Sequence, residues 1–142
     1  MTPQVVEDLL AGRPLRAVSG AFTVAAACHR MCEYGVGALA VFDGTRLIGI
    51  LSERDVSVRV ITEHRDPMLT LVREIMTREP RTIPARASVA EALRIMLDGG
   101  FRHVPVVRGG TAIGMLSLRD MAPEHRAEDH GSRDTLPVLA LG

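Results

Sequence analysis

Residues 17–55, AVSGAFTVAAACHRMCEYGVGALAVFDGTRLIGILSERD, and residues 82–120, TIPARASVAEALRIMLDGGFRHVPVVRGGTAIGMLSLRD, are one piece of chain written twice, offset by 65 positions without a gap. Thirteen of the 39 aligned positions are identical, among them Gly44/Gly109, Gly49/Gly114, Ser52/Ser117, Arg54/Arg119 and Asp55/Asp120. Self-similarity at a fixed offset marks a repeat architecture in which each unit leaves an apolar face for its neighbour to cover. A chain of 142 residues suits one compact domain. A single copy would bury too little surface to be secure alone, so the copies are expected to share one core.

Within each copy the hydrophobic period changes in the same order. Val24, Ala27, Cys28 and Met31 recur at helical spacing between Thr23 and Tyr34, as do Val89, Ala92, Leu93 and Met96 between Ser88 and Asp98. Ser88 followed by Glu91 reads as a capping box, and Thr23 holds the equivalent N-cap position. Short apolar runs follow, residues 38–42 then 47–51 and residues 103–107 then 112–116, joined by Asp43-Gly44 and by Arg108-Gly109-Gly110. Each pair of runs reads as a β-hairpin whose glycines supply positive φ. Short strands at Val18 and Ile83 precede the helices. A second helix follows each hairpin, from Asp55 to about Glu63 and from Leu118 to about His125, so each repeat reads β-α-β-β-α. Val72-Arg73-Glu74-Ile75-Met76 reads as a one-turn helix, and Val6-Glu7-Asp8-Leu9-Leu10 repeats it at an offset of 66. The polar stretch 122–134 reads as a loop or frayed tail, and the apolar stretch 136–141 could dock on the domain or on a partner chain.

Composition removes several classes of function. Seventeen acidic residues balance 17 arginines and no lysine, so the basic field that neutralises a nucleic-acid backbone is missing. No apolar run is long enough to cross a bilayer, and no basic segment precedes an apolar stretch at the N-terminus, so a soluble cytoplasmic protein is expected. Cys28 and Cys32 could share a metal at i and i+4, but they align with Leu93 and Leu97, which places both on the core face and argues against a metal site. No nucleophile motif such as Gly-x-Ser-x-Gly is present, and Glu53 with Asp55 reads as a solvated or capping pair. No catalytic residues are expected, and the chain is read as a non-enzyme.

The chemistry concentrates where the second hairpin strand ends. Gly49-Ile50-Leu51-Ser52-Glu53-Arg54-Asp55 and Gly114-Met115-Leu116-Ser117-Leu118-Arg119-Asp120 deliver the same polar set at a strand-to-helix junction. Free amides at a helix start, a hydroxyl and an Arg fork together favour an anion, and an Asp can accept from vicinal ribose hydroxyls. Ser-x-x-Asp is equally a capping box, useful in any such turn. Both readings stand on the residues alone, with the shared Arg54/Arg119 in favour of the anion because a cap has no need of Arg.

The closing Gly-h-h-Ser-x-x-Asp in both copies (h apolar), Val-x-Glu-Ile-Met-Thr before the second copy, and Gly100-Phe101-Arg102-His103-Val104-Pro105-Val106-Val107 within it resemble the cystathionine β-synthase (CBS) domain. The resemblance covers residues 1 to about 122 as a tandem pair, with repeat 1 over 1–66, repeat 2 over 67–125 and a C-terminal tail over 126–142. It implies an α/β fold of two β-α-β-β-α repeats packed through their sheets with pseudo-twofold symmetry. Two clefts between them commonly bind adenosine-containing ligands: AMP, ADP, ATP, S-adenosylmethionine or NAD. Carried over position by position, the first cleft is implied to use Val18, Gly37, Ala38, Leu39, Ser52, Arg54 and Asp55. The second is implied to use Thr82, Ile83, Arg102, His103, Val104, Pro105, Ser117, Arg119 and Asp120. Ser52 and Ser117 would serve phosphate, and Asp55 and Asp120 would serve ribose. Arg102 and His103 would serve phosphate, so the second cleft is the richer one, although His103 also fits a half-buried strand residue bonded to a carbonyl. The resemblance implies a regulatory energy or metabolite sensor needing no cofactor beyond its nucleotide ligand. The alternative is a ligand-free interaction or oligomerisation module. The expected partners are a protein that it regulates and a second copy of the chain, since such pairs commonly form flat discs through their helices. Val56, Val58, Val60 and Ile61 are the apolar residues expected on that surface.

Overall fold

The computed structural model describes residues 5–121. Its elements run α1 (Val6–Leu10), β1 (Ala17–Ser19), α2 (Val24–Tyr34), β2 (Ala38–Asp43), β3 (Arg46–Ser52), α3 (Glu53–Val56), α4 (Val72–Ile75), β4 (Thr77–Arg78), β5 (Ile83–Pro84), α5 (Val89–Gly99), β6 (His103–Arg108) and β7 (Thr111–Ser117). In repeat 1, β1 lies parallel to β2 and β2 antiparallel to β3, and in repeat 2 β5, β6 and β7 do the same. Both hairpins keep one register: Ala38 faces Ser52 and His103 faces Ser117, with a break after Val41 and after Val106. The turn glycines Gly44 and Gly109 take φ of 64° and 57°, as the hairpin reading requires. β4 joins the first sheet as a fourth strand, against Gly49 and Ile50.

The helix starts follow the sequence. Thr23 Oγ1 accepts from the Ala26 amide at 3.1 Å and Ser88 Oγ from the Glu91 amide at 3.0 Å. Ser88 acts as a simple cap, because among the described residues Glu91 returns no bond to it. The helix expected from Asp55 to Glu63 is different in kind: α3 gives way to a π-helical turn over Ser57–Ile61. Its wider winding alters which side chains share a face. Val60 is fully buried, while Val58 and Ile61 are exposed, so Val60 leaves the expected partner-facing set. In repeat 2 a 3-10 turn, Leu118–Met121, follows the hairpin. The expected extension to His125 and the tail over 126–142 lie outside the described residues.

The expectation of one shared core is corrected to two cores that exchange elements. Val18, Val24, Met31, Leu39, Val41 and Leu51 form the first, joined by Val72, Ile75 and Met76 from α4 and the residue after it. Ile83, Ala92, Met96, Val104, Val106 and Leu116 form the second, joined by Val6, Leu9 and Leu10 of α1. Each one-turn helix thus precedes one repeat in sequence and packs on the other. Backbone bonds repeat the exchange, with Val72 N to Phe22 O at 2.8 Å and Val6 N to Ala87 O at 2.9 Å. Burying each of these aliphatic side chains contributes roughly 1.5–3 kcal/mol, which four- and five-residue helices need in order to persist.

The exchange explains the paired Gly49 and Gly114. A Cβ on Gly114 would lie 2.6 Å from Leu10 Cδ1, and one on Gly49 would lie 2.6 Å from Met76 Sδ and 2.7 Å from the Thr77 carbonyl oxygen. Leu10 can swing a methyl group aside, whereas Thr77 belongs to the paired strand β4. Gly49→Ala is therefore expected to cost about 1–3 kcal/mol through overpacking, and Gly114→Ala less. Urea unfolding of the two variants checks the order, and equal losses would contradict it.

Cys28 packs against the first core, as expected, but Cys32 is exposed, and so is its counterpart Leu97. The core face of α2 and α5 is narrower than the alignment implied. Burial and the neighbouring Cys32 and Glu53 push the Cys28 thiol pKa up, which keeps it protonated and a poor metal ligand.

Candidate functional site

Both closing motifs fold as caps, and their carboxylates are buried. Asp55 and Asp120 are 7% and 8% exposed. Ser52 Oγ accepts from the Asp55 amide at 3.1 Å while Asp55 Oδ2 accepts from the Ser52 amide at 3.0 Å, which completes a capping box. In repeat 2, Asp120 Oδ2 accepts from the Ser117 amide at 2.8 Å, and Ser117 Oγ accepts from the Arg119 amide at 3.3 Å.

The other oxygen of each Asp is engaged by a residue to which the sequence reading gave no site role. Asp55 Oδ1 accepts from Thr77 Oγ1 at 3.0 Å, with Arg59 Nη1 at 3.9 Å. That Arg59 nitrogen also donates to the carbonyls of Ile75 and Met76. Asp120 Oδ1 accepts from Arg13 Nη1 at 2.9 Å, and Arg13 donates to the carbonyls of Leu10 and Leu9. In both repeats a guanidinium ties the end of the exchanged one-turn helix to the closing carboxylate. The arginine comes from after the closing motif in one case and from the N-terminal segment in the other. The i, i+4 spacing of Asp55 and Arg59 was a readable signal; nothing in the sequence marks Arg13 out.

The remaining residues divide the two repeats. His103 begins β6 directly opposite Ser117, with Arg102 before it and Asp120 three residues beyond Ser117. Burial and the charge of Arg102 lower the His103 pKa, against an opposing pull from Asp120, so the imidazole is neutral at pH 7. The His103–Ser117 pairing, the Leu118 amide donating to the Arg102 carbonyl at 2.9 Å and the Ser117 amide donating to Asp120 bring Arg102, His103, Ser117 and Asp120 to one corner. Repeat 1 offers Gly37 and Ala38 at the aligned positions, without a base. The two corners approach each other: a Cβ on Gly37 would lie 3.4 Å from His103 Nε2 and 2.9 Å from Glu53 Oε1. Glu53 is thus a carboxylate at the junction of the repeats that the carried-over set omitted.

Thr82 is half-buried just before β5, whereas Val18, Leu39, Ile83 and Val104 put their side chains into the cores, and Ala38 and Pro105 are buried as well. Those six could meet a ligand only through backbone groups or the edge of a side chain. Arg54 and Arg119 are exposed. Two cavities, of about 280 and 690 Å³, lie elsewhere, around Ser19–Ala21, Asp43, Ile48 and Arg73 and around Arg46, Arg78 and Glu79, and include none of the expected residues.

The family model of the CBS domain matches twice, at residues 6–61 and 72–124. The chain belongs to the CBS-domain family. It is 40% identical over 97 residues to the CBS domain-containing protein CBSCBSPB2 of Arabidopsis thaliana, a match that spans 68% of this chain but only 18% of that protein. A solved structure of a protein with CBS domains from Burkholderia ambifaria superposes with a TM-score of 0.80 at 33% identity, covering 91% of this chain and 96% of that one. The CBS domain protein PAE2072 of Pyrobaculum aerophilum, complexed with AMP, shares the fold with a TM-score of 0.74 at 24% identity, covering 97% and 99%. This CBS pair is therefore a tandem α/β repeat, and no helix among its described residues is long and apolar enough to cross a membrane. Among those residues, no group of three or more His, Cys, Asp or Glu is placed to hold a metal ion.

Proposed function

We propose that this CBS pair is a non-catalytic regulatory module that binds an adenosine-containing ligand in the corner of repeat 2 and transmits occupancy to a partner protein. The observation that carries the reading is the meeting of Arg102, His103, Ser117 and Asp120 at one strand-to-helix junction. AMP, ADP and ATP are put first because Arg102 and His103 follow one another at the start of β6 and would serve phosphate, and NAD or S-adenosylmethionine are the further members of the class. A protein of the same fold holds AMP. A second reading, a ligand-free interaction module, is favoured by one observation: both Asp carboxylates already cap and bridge within the chain. We further propose a homodimer, the exposed Val58 and Ile61 being its anchor.

Calorimetric titration with AMP, ATP, NAD and S-adenosylmethionine tests the first reading, and failure of all four leaves the second. Arg102→Ala should weaken AMP more than adenosine; equal losses would remove Arg102 from phosphate. His103 gives a pH signature. A phosphate favours the charged imidazole, so wild type should gain AMP affinity relative to His103→Gln as pH falls toward the lowered pKa of His103. Stability runs the other way. A depressed folded pKa contributes stability that is present above the unfolded value and lost as pH falls through the folded one, so melting must be followed at each pH.

A further inference from the structure

We propose that repeat 1 carries a second anion site, away from the corner at its closing motif, where Arg46, Arg73 and Arg78 line one groove and would take a small phosphate-bearing polyanion. The groove is the larger cavity, about 690 Å³, floored by Leu47, Ile48 and Met76. The smaller cavity, of about 280 Å³, extends it past the Ser19–Ala21 turn and shares Asp43, Ile48 and Arg73 with it. Arg46 begins β3 and Ser52 ends it, so six residues at about 3.3 Å each put the groove roughly 20 Å from the closing motif.

Repeat 2 supplies an internal control. Arg73 N donates to Gly20 O at 3.0 Å and Glu7 N to Ala85 O at 3.1 Å, which makes Arg73 and Glu7 structural equivalents, as Asp43 and Arg108 are by register. There the polarity is inverted, since Glu7 is paired with Arg108 and has Arg86 at 3.9 Å. In repeat 1 none of Arg46, Arg73 and Arg78 has a carboxylate within 4.0 Å among the described residues. Thr111 and Gly12 stand in repeat 2 where repeat 1 has Arg46 and Arg78.

Three arginines against Asp43 and Glu79 leave the groove with one net positive charge. Planar guanidinium forks match phosphate oxygens two at a time, and an unpaired guanidinium gains more from a phosphate than one already bonded to a carboxylate. Asp43 remains on the rim as an acceptor for a ligand hydroxyl. Gly20 packs closely against this edge of the groove, since a Cβ there would stand 3.3 Å from Arg73 Cβ and 3.1 Å from Ile48 Cδ1. The groove is open to water, so binding must weaken with salt.

The test uses the full chain and pyrophosphate at low ionic strength, read by amide NMR shifts and calorimetry. The expected result is saturable binding with shifts at residues 43–48 and 73–79, weakened at least tenfold by Arg73→Ala and by Arg46→Ala. All three side chains are exposed, so unaltered melting confirms folded variants, and Arg46→Glu gives a second, charge-reversed check. No binding, or binding indifferent to Arg46 and Arg73, overturns the site. Pyrophosphate binding lost only on Arg102→Ala also overturns it, while upholding the repeat 2 corner as a phosphate site.

Discussion

Asp120→Ala is expected to weaken AMP binding about 10- to 150-fold, the loss of one charge-assisted hydrogen bond worth about 1.5–3 kcal/mol, and Asp55→Ala to weaken it less. The asymmetry rests on the corner around each carboxylate. Asp120 sits with His103 and Arg102, whereas Asp55 has Gly37 and Ala38 at the matching positions. Removing Asp120 also strips the Ser117 amide of its acceptor and Arg13 of its anion, so the seat of α1 loosens. Melting temperature must therefore be measured beside affinity. Arg13→Gln separates the two contributions: it keeps the carboxylate and the cap while removing the charged partner. If α1 seating were all that Asp120 supplied, Arg13→Gln would reproduce the full loss of affinity. Calorimetry showing equal losses for Asp55→Ala and Asp120→Ala would end the asymmetry.

The repeat, the order of β1, α2, β2 and β3 and of β5, α5, β6 and β7, and the caps at Thr23 and Ser88 were legible in the sequence because each depends on local signals: period, turn glycines, Ser or Thr before an apolar run; the two-residue strand β4 carries no such signal. Ser52, Asp55, Ser117 and Asp120 stood out as a closing motif because the same signal occurs twice in register, and the structure shows them capping. The exchange of one-turn helices was not legible. Val6-Glu7-Asp8-Leu9-Leu10 has the same apolar spacing whichever core it enters, and only the space above Gly114 and Gly49 decides. Arg13 escaped for a related reason, since its partner Asp120 is 107 residues away and no spacing rule reaches that far. The π-helical turn and the exposure of Cys32 were missed because an ideal 3.6-residue period was assumed where the backbone departs from it or the buried face is narrow.

The departure over Ser57–Ile61 sets up the second large effect, a contrast between neighbours. Val60 is 0% exposed in the first core, beside Val72 and Ile75, and Ile61 is 64% exposed. Val60→Glu buries a carboxylate without a partner, which costs several kcal/mol even after its pKa rises, so it should unfold repeat 1 whatever the oligomeric state. Ile61→Glu places its charge in water and should leave the monomer folded. On a homodimer built through this helix, the same charge meets its symmetry mate across an apolar contact and should reduce association at least tenfold. The linker does not supply an alternative cover, because its apolar side chains divide. Val72, Ile75 and Met76 point into the core around Val60, while Met68 and Leu69 remain exposed, Leu69 at 79%. Light scattering at tens of micromolar protein reads the outcome. A mass near twice 15.4 kDa that falls to the monomer value on Ile61→Glu, with circular dichroism unchanged, places the interface on the exposed edge of the π-helical turn. A wild-type mass near 15.4 kDa, or an Ile61→Glu variant that stays dimeric, removes it from there.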